Sequence, residues 1–289
     1  MKARNFRYIK PRSLEHAYRI LEAGGGEAVP VAGGQSLLAG LNMRLSAPKL
    51  LVDITGLEEL AVCSHDDGEI RLGALTRHCE LLTSELIRTR LQLLAQAAAH
   101  VGHVAIRNRG TLAGSLAYAD PAAELPACSV ALNATVVLGS LAGEREVKAE
   151  HFFTGLFETD LRPGELILAV KFPLPPAGTV VGFAELSRRH GDFALVGLAM
   201  TATLERDRIA GARLVYLGCV DRAKVATSTS AAVVGLQLPL TDGAALAAAI
   251  GTDLSPDDMP GLRGATRLHM AEVLTRRVLN SLPSQGIAA

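Results

Sequence analysis

Residues 109–127 read RGTLAGSLAYADPAAELPA, and the organisation of the chain can be worked outward from them. The front of the stretch is built of small residues, Gly110, Ala113, Gly114 and Ser115, among the hydroxyls of Thr111 and Ser115. It then gives a helix-start signal, with Asp120 at an N-cap position, Pro121 at the first helical position and Glu124 adding negative charge to the first turn. The helix is expected to run through Leu132 and to be followed by a strand over 135–138. Upstream lie an expected strand over 69–72 and a long helical zone from 75 to about 99. Further upstream, strands over 29–32 and 50–54 bracket a second small-residue turn, Ala32-Gly33-Gly34-Gln35-Ser36. Before it, Ser13 caps a helix whose apolar face is Leu14, Ala17, Tyr18 and Leu21, and Gly24-Gly25-Gly26 ends it.

Downstream, Arg162-Pro163-Gly164 turns the chain into a strand over 166–172, and Pro173, Pro175 and Pro176 then break it. The pattern beyond is β-rich, with strands over 182–186, 199–205 and 213–217 and helices over 223–234 and 264–280. A boundary near 173–178 divides an α+β chain into two parts.

Composition bounds the function. Of 289 residues, 49% are apolar and 20% charged, which supports a packed core and excludes disorder. The 29 basic and 29 acidic residues cancel, so nothing draws the chain to nucleic acid or an anionic membrane. The longest apolar stretches, such as 194–200, fall far short of the roughly 20 residues that span a bilayer. No apolar signal core follows Met1, and a cytoplasmic protein is expected. Cys63, Cys79, Cys128 and Cys219 form no CxxC, so they read as small buried residues rather than metal ligands, and no metal site is expected.

Successive backbone N–H groups in glycine-containing turns form concave nests that suit a phosphate. Two such turns, flanked by Ser36, Thr111 and Ser115, can hold the two phosphates of one diphosphate. Neither leads into a GxxxxGK[ST] loop, and no GxGxxG occurs. His100 and His103 have no third ligand near them in the sequence and read as a solvated pair. Gln35-Ser36 is no nucleophile elbow, because Leu38 stands where glycine is needed. The run Arg188-Arg189-His190 reads as a solvated turn that can also meet a phosphate or an acidic partner surface. Aromatic residues make up only 4%, and Phe193 is either a core residue or a platform for a flat ligand.

Three segments carry a family resemblance. Residues 31–54 (VAGGQSLLAGLNMRLSAPKLLVDI), 109–127 and 187–197 (SRRHGDFALVG) resemble, in order, segments of the FAD-binding medium subunits of the molybdenum hydroxylases, the group of carbon monoxide dehydrogenase and xanthine dehydrogenase. The resemblance implies a vanillyl-alcohol-oxidase-type (PCMH-type) FAD-binding domain over 1–175, with two α/β subdomains of about 1–56 and 57–175. A C-terminal α/β domain with a small antiparallel sheet would occupy 176–289. By motif position, Ala32, Gly33, Gly34, Gln35, Ser36 and Leu37 would line the diphosphate in the first loop, and Thr111, Gly114, Ser115 and Leu116 in the second. Glu124 would hydrogen-bond a ribose or ribityl hydroxyl. Val101, Gly102 and Ile106 would lie along the flavin or adenine path, Leu166 and Ile167 beside the isoalloxazine ring, and Phe193 near that ring.

The departures are informative. Ala113 replaces the first glycine of the usual second-loop pair. Gln35 stands where covalent flavin oxidases of this fold carry histidine, so non-covalent FAD is implied. The resemblance further implies an oxidoreductase subunit without a catalytic acid or base of its own. It would pass electrons from a small [2Fe–2S] subunit to NAD+, oxygen or a quinone, beside a large molybdopterin-binding subunit, in a dimer of heterotrimers. The alternatives are a stand-alone flavin oxidoreductase of the same fold and a scaffold that has lost the cofactor.

Overall fold

The structure is a computed structural model that describes residues 2–66, 68–240 and 243–282. Residues 1 and 283–289 of the expected domain spans lie outside the described residues.

The chain opens with a three-stranded parallel sheet in the order Arg7–Ile9, Leu50–Asp53, Ala28–Val31. The helix Leu14–Gly24 connects its outer strands. Ser13 Oγ accepts from His16 N–H at 3.2 Å, and Gly25 ends the helix at φ 51°, a left-handed conformation that glycine adopts freely. Ala17, Tyr18 and Leu21 are its buried face, as their spacing predicts. The strand Ala28–Val31 leads straight into the first small-residue bend.

The second sheet is antiparallel and five-stranded, in the order Ser64–Asp66, Glu69–Gly73, Leu166–Pro173, Thr135–Ser140, Gly143–Lys148. Its inner strands, through Ile70, Leu72, Val136, Leu138, Val170 and Phe172, form the centre of the larger core. The helical zone after it is three short helices, His78–Thr83, Glu85–Arg90 and Gln92–Ala98, rather than one. Ser84 (φ −67°, ψ 123°) and Leu91 (φ −126°, ψ 47°) leave helical geometry. The breaks let Leu81, Ile87, Leu91, Leu93, Leu94, Ala97 and Ala98 all turn inward, which one straight helix could not achieve.

The expected helix from Pro121 is also corrected. Asp120 and Pro121 form a turn: Asp120 Oδ1 accepts from Ala122 N–H at 2.8 Å, its carbonyl accepts from Ala123 N–H at 3.0 Å, and the helix runs over Glu124–Ala131. The Pro121 carbonyl accepts instead from Gly218 N–H in the C-terminal part of the chain. Starting at Glu124 places Pro126 in the first turn, where its missing N–H and its ring are tolerated; a start at Pro121 would have put Pro126 in the interior. Every residue of this helix is buried.

A third sheet is antiparallel, in the order Thr179–Leu186, Val196–Glu205, Arg208–Leu217. Both of its faces are covered. Val196, Leu198, Met200 and Ala202 pack with the helices Thr227–Val233, Ala244–Asp253 and Gly264–Ser281. The alternate residue Ala199, with Val215 and Leu217, packs into the first core against Gln92–Ala98 and Glu124–Ala131. Period-two alternation therefore serves two cores, and the strands read as continuous apolar runs.

The helix Thr227–Val233 begins four residues later than expected. Strands Arg7–Ile9 and Gly143–Lys148 and helices Leu37–Asn42, Leu112–Tyr118 and Ala244–Asp253 have no counterpart in the sequence reading. Cys128 and Cys219 are buried, whereas Cys63 is exposed.

The two parts of the chain are tied at the helix Glu124–Ala131. Arg213 Nη2 donates to the Val130 carbonyl at 3.1 Å and to Glu150 Oε2 at 2.9 Å, and Thr201 Oγ1 donates to the Ala131 carbonyl at 3.3 Å. These side chains reinforce the helix end, where the Val130 carbonyl also accepts from Asn133 N–H at 3.1 Å. The Arg213 bond, the largest influence on Glu150, and burial pull its carboxyl in opposite directions, and the net effect lowers it. A lowered carboxyl contributes stability above its ordinary range and loses it as pH falls through the folded value. Arg213→Ala is expected to cost about 1 kcal/mol at pH 7. In thermal melts, the gap to the wild type should narrow as the pH is lowered through the Glu150 range.

Candidate functional site

The two small-residue bends meet backbone to backbone. A Cβ at Gly33 would sit 2.2 Å from the Arg109 carbonyl oxygen and 2.8 Å from Gly110 Cα. No side chain fits there, so both bends close over one cavity of about 530 Å³, within the range of small-molecule and cofactor sites. Gly34 takes φ 70°, which swings the chain from the strand into the helix Leu37–Asn42. Gln35 Nε2 donates to the Gly33 carbonyl at 3.0 Å and pins the bend. Among the described residues, the backbone N–H groups of residues 33–37 donate to no protein acceptor, so a row of donors faces the cavity.

The second bend differs. Its donors are already used: Leu112 N–H to the Thr76 carbonyl at 2.8 Å, Ala113 to Ala74 at 3.3 Å, Gly114 to Thr111 Oγ1 at 3.2 Å and Ser115 to the Thr111 carbonyl at 3.0 Å. What this bend presents is the hydroxyls of Thr111 and Ser115 and a close backbone, not a second nest. Ala113 lies in the helix Leu112–Tyr118, where its methyl group is no obstacle.

Sixteen of the seventeen residues singled out from sequence line this one cavity: Ala32, Gly33, Gly34, Gln35, Ser36, Leu37, Val101, Gly102, Ile106, Thr111, Gly114, Ser115, Glu124, Leu166, Ile167 and Phe193. Leu116 is the exception; its side chain is fully buried in the main core and does not reach the cavity. Phe193 stands at the cavity edge with 69% of its surface exposed, so it is no core residue.

Several contributors escaped the sequence reading. His78 lies under the second bend, where burial lowers its imidazole to about 4 and keeps it neutral. Its Nε2–H donates to the Thr111 carbonyl at 3.0 Å, which fixes the tautomer because a carbonyl only accepts. Its ring abuts Gly110, where a Cβ would come within 2.8 Å of it.

Arg145 holds the opposite wall. Its guanidinium donates to Glu165 Oε1 at 2.7 Å and Oε2 at 2.8 Å, and to the Asp160 carboxylate and carbonyl at 2.6 Å each. This forked grip fixes the loop 161–165, which lines the cavity before Leu166 and Ile167. The C-terminal part closes the rim: Gly191, at φ 83°, comes so near Gly102 that a Cβ would lie 3.0 Å from the Gly102 carbonyl.

Glu124 brings a buried carboxyl to the site, at 9% exposure. Burial pushes its carboxyl up to about 8 against a hydrogen bond from its own backbone N–H, with Glu185 and Asp120 adding to the rise and His100 opposing it. His100 is not the free solvated residue expected: its Nδ1 lies 3.3 Å from Glu185 Oε1 on the C-terminal sheet.

A cavity floored by backbone donors without protein partners, walled largely by apolar residues and lined by the buried Glu124, suits a phosphate-bearing cofactor. Residues 4–175 match the family described as "FAD binding domain in molybdopterin dehydrogenase", and residues 182–282 match "CO dehydrogenase flavoprotein C-terminal domain". The chain belongs to the FAD-binding medium subunits of the molybdenum hydroxylases.

Among the relatives, 6-hydroxypseudooxynicotine dehydrogenase complex subunit alpha of Paenarthrobacter nicotinovorans is 42% identical over 283 residues, covering 98% of this chain and 95% of the relative. The carbon monoxide dehydrogenase medium chain of Hydrogenophaga pseudoflava is 32% identical over 75% of this chain and 76% of its own. The structure superposes on carbon monoxide dehydrogenase of Hydrogenophaga pseudoflava with a TM-score of 0.94 at 31% identity, covering 99% of both chains. On quinoline 2-oxidoreductase of Pseudomonas putida 86 the TM-score is 0.91 at 35% identity, covering 99% of this chain and 100% of that one. The α+β fold of a PCMH-type FAD domain followed by a C-terminal domain is the fold of these neighbours.

The residues present fit the cofactor. Unpaired N–H groups suit a diphosphate, the missing Cβ atoms let the backbone approach it, and Gln35 cannot form the histidyl bond of covalent flavoproteins. Gly33→Ala is expected to force the bends apart and abolish FAD retention. Flavin absorbance after gel filtration checks it, and Gly40→Ala, in open space on the following helix, should retain the cofactor.

Proposed function

We propose that this chain is the electron-relay subunit of a heterotrimeric molybdenum hydroxylase of the cytoplasm, assembled as a dimer of heterotrimers. Its partners are a large molybdopterin-binding subunit and a small [2Fe–2S] subunit. The observation that carries the reading is the single cavity closed by the Gly33–Arg109 backbone contact, in a chain whose relatives are named as subunits and medium chains. FAD, when bound, supplies the one- and two-electron redox chemistry that lets such a subunit take electrons from an iron–sulfur partner and yield them to NAD+, oxygen or a quinone.

The chain's own residues bind and orient. Residues 32–37 meet the diphosphate with backbone N–H groups, and Thr111, Gly114 and Ser115 close on it from the other side with hydroxyls and a close backbone. Glu124 meets a ribose or ribityl hydroxyl. Val101, Gly102 and Ile106 line the flavin or adenine path, Leu166 and Ile167 exclude water beside the ring, and Phe193 guards the rim. Residues 1–175 are the FAD-binding domain and residues 176–289 the C-terminal domain that completes its rim. No side chain here is assigned a role in breaking substrate bonds, so the identity of the hydroxylated compound rests with the large subunit.

Co-expression with a molybdopterin-binding large chain and a [2Fe–2S] small chain from the same genome tests this. The three are expected to co-purify, and the flavin band to bleach when the large subunit's substrate is added. The isolated chain, loaded with FAD, should stay yellow with that substrate. Bleaching of the isolated chain would favour a stand-alone flavin oxidoreductase.

A further inference from the structure

The chain holds four tyrosines, seven phenylalanines and no tryptophan. Among the described residues, only Tyr118 and Phe193 of these line the cavity. Phe193 guards the rim, and Tyr118 is left over. Tyr118 is the last residue of the helix Leu112–Tyr118, which packs along the strand Leu166–Pro173. The helix stops there because Ala119 takes φ 52°, a left-handed conformation that alanine rarely adopts, and its N–H donates to the Ser115 carbonyl at 3.1 Å.

The Tyr118 ring meets the ring of Phe157 edge-on, with centroids 5.4 Å apart and planes at 70°, an arrangement that aromatic quadrupoles favour. Phe157 stands at the tip of a hairpin whose strands are Phe153–Gly155 and Glu158–Thr159, and it takes φ 56°, an outlier for so bulky a residue. The base of this hairpin is fixed. The rings of Phe152 and Phe153 meet at 5.3 Å in the core, and Asp160 is gripped by Arg145. Phe157 itself does not line the cavity.

Neither ring belongs to a hydrophobic core: Tyr118 is 40% exposed and Phe157 49%. Two costly backbone conformations therefore bring together two rings that packing alone does not require. Strain kept at the edge of a cavity points to a role there.

Building on the FAD reading above, we propose that Tyr118 packs against the isoalloxazine ring of FAD, and that Phe157 is a positioning residue that holds the Tyr118 ring in place. The helix that carries Tyr118 lies on the strand whose first residues, Leu166 and Ile167, stand beside that ring in the same reading, and all three line the cavity. A phenol is an electron-rich neighbour for the electron-poor isoalloxazine. Restrained in advance by Phe157, it has less freedom to lose when the cofactor binds.

Contact with a phenol has an optical signature. On excitation, an isoalloxazine takes an electron from an adjacent tyrosine and returns it without emitting, so neither group is changed. Phenylalanine is far harder to oxidise and does not quench in this way. Tyr118 is the one tyrosine that lines the cavity among the described residues, and the chain has no tryptophan, so quenching of bound FAD is assigned to a single side chain.

The full chain, saturated with FAD and freed of excess by gel filtration, is read by time-resolved flavin fluorescence. Tyr118→Phe keeps a ring and removes the phenol, and it should lengthen the flavin lifetime severalfold. Tyr118→Leu should lengthen it as well and also weaken FAD retention. Phe157→Ala leaves the phenol in place but unrestrained, and it should split the decay into a short and a long component.

Equal lifetimes in the wild type and Tyr118→Phe overturn the proposal, also where Tyr118→Leu weakens retention, since that outcome puts the ring against the adenine or the ribityl chain. A single short decay in Phe157→Ala overturns the positioning role. Should Phe157→Ala fail to fold, Phe157→Leu, which keeps bulk at the hairpin tip without the ring, is read by the same two outcomes. A wild-type chain that retains no flavin overturns the FAD reading itself.

Discussion

The approach of the Gly33 backbone to the Arg109 carbonyl is the constraint on which the site depends. A methyl group would overlap that oxygen, so the two bends share one boundary only because position 33 carries none. The two sides of that boundary come from different sheets. The first bend leaves the carboxyl end of a parallel strand, the setting in which open α/β sheets commonly bind ligands, and the second is tethered to residues 74 and 76 beside the antiparallel sheet. The contact is thus both a packing requirement between subdomains and the floor of the cavity.

The division of labour between the bends follows from their hydrogen bonds. The first keeps its backbone donors free because Gly34, in the left-handed region, turns the chain before helical pairing can begin. The second spends its donors on Ala74, Thr76 and Thr111, which fixes its position against the five-stranded sheet. Rigidity comes from one side and free backbone donors from the other. Arg145 supplies the third fixed element, with four short charge-assisted bonds to a loop of the opposite wall.

Much of this was legible in the residues. Ser13 and Gly25 bound the first helix where capping chemistry places them, and sixteen of the residues chosen by motif share one cavity. What was not legible arose from long-range competition. Asp120-Pro121 carries a helix-start signal, but Gly218, nearly a hundred positions away, takes the Pro121 carbonyl, and the helix begins at Glu124. Pro126 held the local clue, since it tolerates only the later start. The zone 75–99 has helical spacing throughout, yet burying its leucines against a curved core required two breaks. Leu116 follows the cavity-lining Gly114 and Ser115 in the motif but is buried in the core. His100 and Glu185 are 85 positions apart, and nothing in either local context announces their pairing.

The doubly covered third sheet carries an evolutionary consequence. Along Val196–Ala202, the even positions belong to the interior private to the C-terminal helices, while Ala199 between them packs into the interior shared with the N-terminal part. Inserting or deleting a single residue there would exchange the two sets at a stroke. Point substitutions that preserve size can accumulate in this strand, whereas changes of length cannot, and lineages of this subunit should diverge in length at their hairpin tips and keep the number of residues between Val196 and Ala202 invariant.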